Sequence, residues 1–112
     1  MRGIVVFKRR RPIAYICSPY RGDISQNTDN ARKYCRFAIE HGAIPIAPHP
    51  LFPQFMDDSV ACECEAAMQM NLAIMRRCDE VWVFGEKVSE GMAREIEEAE
   101  RLGVKIRHLR GG

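Results

Sequence analysis

The sequence predicts a three-layer α/β domain built on a parallel sheet. Strand-like apolar runs alternate along the chain with segments whose apolar residues recur at helical spacing. The runs 13–17 and 80–84 are apolar almost throughout, which is typical of strands buried on both faces. Alternating strands and helices imply right-handed crossovers and helices on both faces of the sheet. The 112 residues are near the common size of a domain, so 1–112 is interpreted as a single domain.

Two strands are predicted before the first helix. Residues 3–7 form a short strand that ends at a basic run and Pro12, and residues 13–17 form a central strand. The loop over 18–23 that follows is rich in turn residues. The basic run over 8–11 is interpreted as a solvated turn or strand end, and its alternative is a phosphate or nucleic-acid patch.

The next helix and strand have clear start and stop signals. The helix is expected to begin near Asn27 or Thr28, since either side chain can cap it, and to stop at Gly42. Residues 43–47 then form a strand. Pro45 places this strand at an edge of the sheet, because proline has no N–H for a ladder hydrogen bond.

The second half of the chain is predicted to repeat this alternation. The loop over 48–55 is rich in prolines and aromatic residues and is expected to fold over the core or a ligand. A helix follows over 59–77, with methionines interpreted as core residues. Residues 80–84 form a buried strand, 89–102 the last helix and 104–109 a final edge strand.

The net charge, the apolar stretches and the cysteines limit the kinds of function that the chain can have. The net charge of +2 is too small to indicate nucleic-acid binding by itself, and no apolar stretch reaches transmembrane length. The five cysteines include no CxxC pair. Cys17, Cys35 and Cys78 are interpreted as small buried hydrophobes in a reducing compartment, with the cytoplasm as the expected location. Cys62 and Cys64 with His49 fit no standard zinc spacing, so no metal or organic cofactor is expected.

The segment 89–96 has the greatest functional interest. It follows the strand over 80–84 and opens a helix, which puts the carboxylate of Glu95 at the carboxyl edge of the sheet. Open parallel sheets bind ligands at that edge. A glutamate there can act as a nucleophile, and its alternative is an exposed charge favoured by the positive end of the helix.

Three segments in this order resemble the nucleoside 2-deoxyribosyltransferase superfamily. They are 15–22, 78–85 and the motif Ser89-x-Gly91-x-x-x-Glu95-Ile96. The chain resembles more closely a small DUF4406-like family of unknown function from bacteria and phages, which is grouped with those transferases. Asn30-Ala31-Arg32 and Ala47-Pro48-His49 extend the resemblance to most of the chain. It implies a flavodoxin- or Rossmann-like sheet with the deoxyribosyltransferase topology.

The resemblance also implies residue roles. Glu95 would attack the anomeric carbon of a nucleoside, expel the base and form a glycosyl ester, which a second base or water then resolves. Tyr15 would lie near this glutamate, and Arg21 would help to bind a nucleotide phosphate. Ser89 and Gly91 would hold the sugar or phosphate. The other predicted binding residues are Ser18, Tyr20, Gly22, His49 and Met92, with Tyr20 a candidate for stacking on the base.

Two residues depart from the superfamily pattern. Ser89 stands where classical transferases have an aspartate, which resembles the nucleotide N-glycosidase branch and favours a phosphate. Asn71 stands where an aspartate usually protonates the leaving base. An asparagine can hydrogen-bond a base but cannot act as its general acid. Asp57 and Asp58 in the preceding loop are candidate replacements.

Several candidate site residues have structural alternatives. Arg21 can pair with Asp23, His49 can pack within its loop, and Tyr15 can be half-buried core. Phe52 and Phe55 can line the pocket or pack against helices. Trp82 is expected in the core or at a subunit interface, and Asp79 is expected to cap or pair at a strand start, away from the ligand edge.

The leading hypothesis is an N-glycosyl enzyme, either a nucleoside or nucleotide deoxyribosyltransferase or an N-glycosidase. The alternative is a non-catalytic module that binds or senses a nucleotide, which Asn71 favours. Nucleic-acid binding through the basic run over 8–11 is a weaker third hypothesis, and no membrane partner is expected. A homodimer or larger homo-oligomer is expected, because superfamily members complete their pockets with residues from a neighbour.

Overall fold

The computed structural model describes residues 10–109, which form a four-stranded, all-parallel sheet with three α-helices. The strands are β1 (Ile13–Cys17), β2 (Ile44–Ile46), β3 (Glu80–Phe84) and β4 (Lys105–Leu109), in the order β2-β1-β3-β4. The helices are α1 (Ile24–Glu40), α2 (Ala61–Met75) and α3 (Glu90–Leu102), with a short 3-10 helix at Phe52–Gln54. The predicted α/β class is confirmed. The strand predicted over 3–7 lies outside the described residues, as do Lys8 and Arg9.

Helices cover both faces of the sheet, as predicted. Successive side chains of β1 and β3 alternate between two cores. One core, packed under α2 and α3, contains Tyr15, Cys17, Val81, Val83, Leu72, Met75, Met92 and Ala99. The other, packed under α1, contains Ala14, Ile16, Ala38, Trp82 and Phe84. The result is a three-layer, Rossmann- or flavodoxin-like arrangement, with Trp82 in the core under α1.

The two edge strands are those that the sequence predicts. β2 pairs only on its β1 side within the described sheet, with Pro45 opposite Ala14. β4 forms the other edge and pairs with β3 from Lys105 to Leu109. The central strands β1 and β3 are bonded to each other in parallel, and their buried side chains therefore position the elements that follow them.

The first helix begins earlier than predicted. Asp23 caps α1, and its Oδ1 accepts a hydrogen bond from the backbone N–H of Gln26 at 3.1 Å. Asn27 and Thr28, the predicted caps, lie inside the helix. The Asn27 amide instead donates to the carbonyl oxygen of Tyr20 at 2.9 Å and so anchors the loop after β1. Asp23 is the cap because its carboxylate reaches the first-turn N–H groups that have no helical partner.

The other helix ends lie within two residues of the predictions. α2 is shorter than the predicted 59–77 by two residues at each end. Ser89 caps α3, and Gly103 ends it in the left-handed conformation. Gly42, with φ of +82°, comes two residues after the end of α1.

Asp79 joins the starts of the two central strands. Its Oδ2 accepts a hydrogen bond from the N–H of Ile13 at 2.7 Å, and its own N–H donates to the Ile13 carbonyl at 2.8 Å. Both contacts lie at the amino edge of the sheet, opposite the edge where ligands bind in such folds. The predicted role of Asp79 at a strand start is confirmed.

Replacing Asp79 by alanine is expected to lower the free energy of unfolding by about 1 kcal/mol, because one N–H of β1 loses its carboxylate acceptor. Chemical denaturation measures the loss. Asp29→Ala is the matched control, since Asp29 pairs with Arg32 on the exposed face of α1 and should lose less than about 0.5 kcal/mol. Equal losses in the two variants would contradict a specific role for Asp79.

Candidate active site

A cavity of about 410 Å³ opens at the carboxyl edge of the sheet. Its walls come from the loops after β1 and β2, one face of α2 and the first turns of α3. Nine of the eleven predicted site residues line it: Ser18, Tyr20, Arg21, His49, Asn71, Ser89, Gly91, Met92 and Glu95. A volume of this size is within the range of small-molecule pockets.

Glu95 is buried at this cavity, with only 4% of its surface exposed. The Tyr15 hydroxyl donates a hydrogen bond to Oε2, and the Cys17 thiol lies 3.4 Å from Oε1. Tyr15 and Cys17 are two residues apart on β1, so both side chains point to the same face of the sheet. Glu95 is therefore not the exposed helix glutamate that the sequence left as an alternative, and Tyr15 is fully rather than half buried.

Burial determines the protonation states of Glu95, Tyr15 and Cys17. Loss of water raises the pKa of Glu95 from 4.5 to about 7, although the hydrogen bonds from Tyr15 and Cys17 act in the opposite direction. Burial and the neighbouring carboxylate also raise the pKa values of Tyr15 and Cys17. Both donors therefore keep their hydrogens, and Glu95 changes between its neutral and ionised forms near neutral pH.

His49 is a neutral hydrogen-bonding group at the cavity. Its Nε2 lies 3.0 Å from the hydroxyl oxygen of Ser18, and the ring of Tyr20 meets it edge-on at 6.3 Å between centroids. Burial lowers the pKa of His49 to about 4. The imidazole therefore carries no charge near pH 7, which suits contact with a neutral ligand group better than proton donation as an imidazolium.

The amino end of α3 faces the cavity. The Ser89 hydroxyl caps the helix by accepting from the N–H of Met92 at 3.2 Å. The first-turn residues Glu90 and Gly91 line the cavity. A Cβ at Gly91 would lie 3.4 Å from the Met68 methyl group, in ordinary van der Waals contact with the opposite wall. Backbone N–H groups at such a helix start favour an anion.

Arg21 reaches across the cavity from the loop after β1. Its guanidinium contacts the thiol of Cys64 on α2, while Asp23 is used as the cap of α1. The proposed alternative, pairing of Arg21 with Asp23, does not occur among the described contacts. Arg21 thus places a positive charge at the cavity wall.

Gly22 and Phe55 lie outside the cavity lining. Gly22 has φ of +98° and serves the turn that leads into α1. Phe52 lines the cavity, whereas Phe55 is 67% exposed and touches Phe52 edge-on. The aromatic loop therefore covers the cavity through its 3-10 helix, and Phe55 packs against neither the cavity nor a helix core.

Asn71 occupies a buried position on α2 and lines the same cavity as Glu95. It is 7% exposed, and its Oδ1 has no hydrogen-bond partner among the described residues. Of the two candidate replacements for a general acid, Asp58 lines the cavity. Asp57 instead binds the N–H and hydroxyl of Ser59. The cavity therefore has one loop carboxylate that could reach a ligand from this side.

The sequence did not indicate the contacts that Arg94, Glu65 and Cys17 make at the site. Arg94 donates to both carboxylate oxygens of Glu65, at 2.8 and 2.9 Å, and this pair links α2 to α3 at the cavity wall. Helical spacing from Asn71 would have indicated that α2 faces the cavity. The period of two along β1, starting from Tyr15, would have indicated Cys17.

Within residues 10–109, no group of three or more His, Cys, Asp or Glu side chains is arranged to hold a metal ion. No helix in the same range is long and apolar enough to cross a membrane. All five cysteines are free thiols.

A family model described as a domain of unknown function (DUF7768) matches residues 12–109. The chain belongs to this family. The matched range contains every described strand and helix together with the whole cavity lining. No curated protein matches the chain. The description of the DUF7768 family names no reaction, so the resemblance to nucleoside deoxyribosyltransferases stays a prediction.

Replacing Glu95 by glutamine is expected to change how stability depends on pH. The pKa of Glu95 is higher in the folded chain than its ordinary value, so its stabilising contribution is complete below pH 4.5 and is lost as pH rises through about 7. The glutamine cannot ionise. The free energy of unfolding of Glu95→Gln relative to the wild type should therefore rise by about 3 kcal/mol between pH 4.5 and 8.

Urea denaturation at several pH values measures this difference. The lowered pKa of His49 makes its contribution to stability change with pH in the opposite direction, and this contribution cancels when the free energies of wild type and variant are subtracted. A difference that does not vary with pH would show that Glu95 ionises in the folded protein as it does in water.

Proposed function

We propose that this protein is an N-glycosyl enzyme that acts on a nucleoside or nucleotide, with Glu95 as its nucleophile. The observation that supports this most strongly is the buried Glu95 carboxylate, held at both oxygens and lining a cavity large enough for a small ligand. A strongly perturbed carboxyl group in a cleft is a feature of catalytic sites. The superfamily resemblance assigns the same residue as the nucleophile.

The proposed reaction has two steps. An oxygen of ionised Glu95 forms a bond to the anomeric carbon while the bond from that carbon to the base nitrogen breaks and its electron pair leaves with the base. The base takes up a proton, and a glycosyl ester remains. A second base or water then displaces Glu95. The carboxylate stabilises the oxocarbenium-like charge that develops in both steps.

A 5′-phosphate is the favoured substituent on the sugar. The guanidinium of Arg21 and the first turn of α3 are both at the cavity, and both favour an anion. Ser89 replaces the aspartate that classical transferases have at this position, although Glu90 follows it in the first turn of α3. These features support a nucleoside monophosphate over a free nucleoside.

A non-catalytic nucleotide-binding module is the second candidate. Asn71 favours it, because a buried amide at the cavity cannot protonate a leaving base. In the enzymatic proposal, Asp58 or Glu90 supplies this proton, because Glu65, the other carboxyl group of the lining, is paired with Arg94.

We further propose a cytoplasmic location and a homo-oligomer. The free state of all five thiols supports a reducing compartment. Exposed apolar side chains occur on the loops that surround the cavity, namely Leu51, Phe55, Val60 and Val88. Such side chains support contact with another subunit near the site.

Base release from a panel of ribo- and deoxynucleosides and their 5′-monophosphates tests the enzymatic proposal. Chromatography is expected to show release of one or a few bases, with a rate that rises as Glu95 ionises near pH 7. Glu95→Gln should lower the rate by at least about 1000-fold, because the nucleophile is lost. Glu97→Gln, at an exposed position of the same helix, should act like the wild type.

Absence of base release, together with a raised melting temperature in the presence of one nucleotide, would exclude catalysis for the panel and favour the binding module. Absence of both would remove the support for a nucleotide ligand.

Asn71→Asp separates the two candidate functions further. Burial should raise the pKa of the new carboxyl group and keep it protonated, so it can supply the leaving base with a proton. We expect base release from ordinary nucleotides to increase by about tenfold or more. An unchanged rate in a folded variant that binds the same nucleotide would show that position 71 does not reach the leaving base.

A further inference from the structure

Glu95 has two hydrogen-bond donors of unequal strength. Tyr15 holds Oε2 through a hydroxyl group, whereas Cys17 holds Oε1 through a thiol, at 3.4 Å. A thiol is a weak donor, and a hydroxyl bond to a carboxylate is a strong one. The thiol is fully buried and remains protonated, because burial raises its pKa. The two oxygens of the same carboxylate are therefore chemically different before any ligand binds.

The Cys17 thiol also has a second acceptor. The carbonyl oxygen of Met92, on the same face of the site, lies 3.9 Å from Sγ. The thiol hydrogen can turn from Glu95 to this carbonyl through a rotation of the side chain. It would then not be left without a partner in a buried environment, where an unpaired polar group is costly.

We propose that Oε1 is the attacking oxygen of Glu95 and that Cys17 is the positioning residue that holds this oxygen and then releases it to the reaction. The proposal rests on Glu95 acting as a nucleophile, as proposed above. A hydrogen bond to a carboxylate oxygen lowers the nucleophilicity of that oxygen, and the weaker bond from the thiol lowers it less and is given up at less cost than the bond from Tyr15.

Attack by Oε1 forms one bond and breaks one bond. The electron pair of Oε1 forms the new bond to carbon, and the leaving group departs with the electron pair of the broken bond. Oε2 becomes the carbonyl oxygen of the ester and continues to accept from Tyr15. The thiol hydrogen stays on Sγ throughout, turns to Met92 and is never transferred.

Two substitutions change the donor at position 17 in opposite directions. Cys17→Ala removes it, and Cys17→Ser replaces it with a stronger one. In proteins labelled with ¹³C on glutamate, NMR titration should show the lowest pKa of Glu95 in Cys17→Ser and the highest in Cys17→Ala. Each should differ from the wild type by about 0.5 to 1 pH unit, the effect of one hydrogen bond.

The reactivity of Glu95 should follow the same order as its basicity. Propylene oxide measures the reactivity of the Glu95 carboxylate without a nucleoside. Oε1 opens the ring and forms an ester, and the ring oxygen takes a proton from water. Peptide mass spectrometry at pH 9 gives the rate of this modification at Glu95. Cys17→Ala should react at least as fast as the wild type, and Cys17→Ser about two- to tenfold more slowly, because its bond to Oε1 is harder to release.

Cys78 provides the matched control. It is a cysteine of the same core cluster with 9% exposure, and its thiol lies against the carbonyl of Ile74, away from Glu95. Cys78→Ala and Cys78→Ser should leave the pKa and the modification rate of Glu95 unchanged. If Cys17→Ser does not fold, Cys17→Ala against Cys78→Ala decides the question alone.

An unaltered pKa of Glu95 in Cys17→Ala, or slower modification of that variant than of the wild type, would overturn the proposal. Neither measurement needs a nucleoside substrate. A protein that shows the expected orders but releases no base would therefore retain the Cys17 assignment and lose the proposed function.

Discussion

The burial of one carboxyl group, Glu95, between α3 and the central strand β1 determines the character of this site. Water is excluded, so the charged form is disfavoured, and the pKa moves to about 7. The donors Tyr15 and Cys17 make the ionised form accessible by stabilising it. Without them, a buried glutamate would remain neutral and unreactive near neutral pH. With them, the carboxyl group is poised between its two forms.

The sheet separates structural and functional contacts onto opposite edges. At the amino edge, Asp79 fixes β1 against β3 through bonds to Ile13. At the carboxyl edge, the loops after β1 and β2 surround the cavity together with α2 and the start of α3. This geometry arises because parallel strands all end on one side, and the connections that leave them converge there. Glu95 contacts β1 across 80 residues of sequence, so the packing of α3 on the sheet directly sets the chemistry of the site.

Charge at the cavity is divided between groups that are already paired and groups that remain available. Glu65 and Arg94 satisfy each other across α2 and α3, which holds the two cavity walls together. The guanidinium of Arg21 contacts the Cys64 thiol and forms no ion pair among the described residues, so its charge is available to an anion. Asn71, with an unpaired amide oxygen among the described residues, is where the cavity departs furthest from an acid–base catalyst. This amide is the feature that favours the binding module over the enzymatic proposal.

The class of fold, the edge position of β2 and the place of Glu95 on its helix could be predicted from the sequence, because these depend on local periodicity and on the missing N–H of Pro45. It did not determine that Asp23 rather than Asn27 caps α1, since neighbouring residues with similar capping ability compete and tertiary packing decides. Only the tertiary structure showed the burial of Glu95 and its contact with Cys17. Desolvation and hydrogen bonding at a site depend on groups far apart in the chain, which no local pattern records.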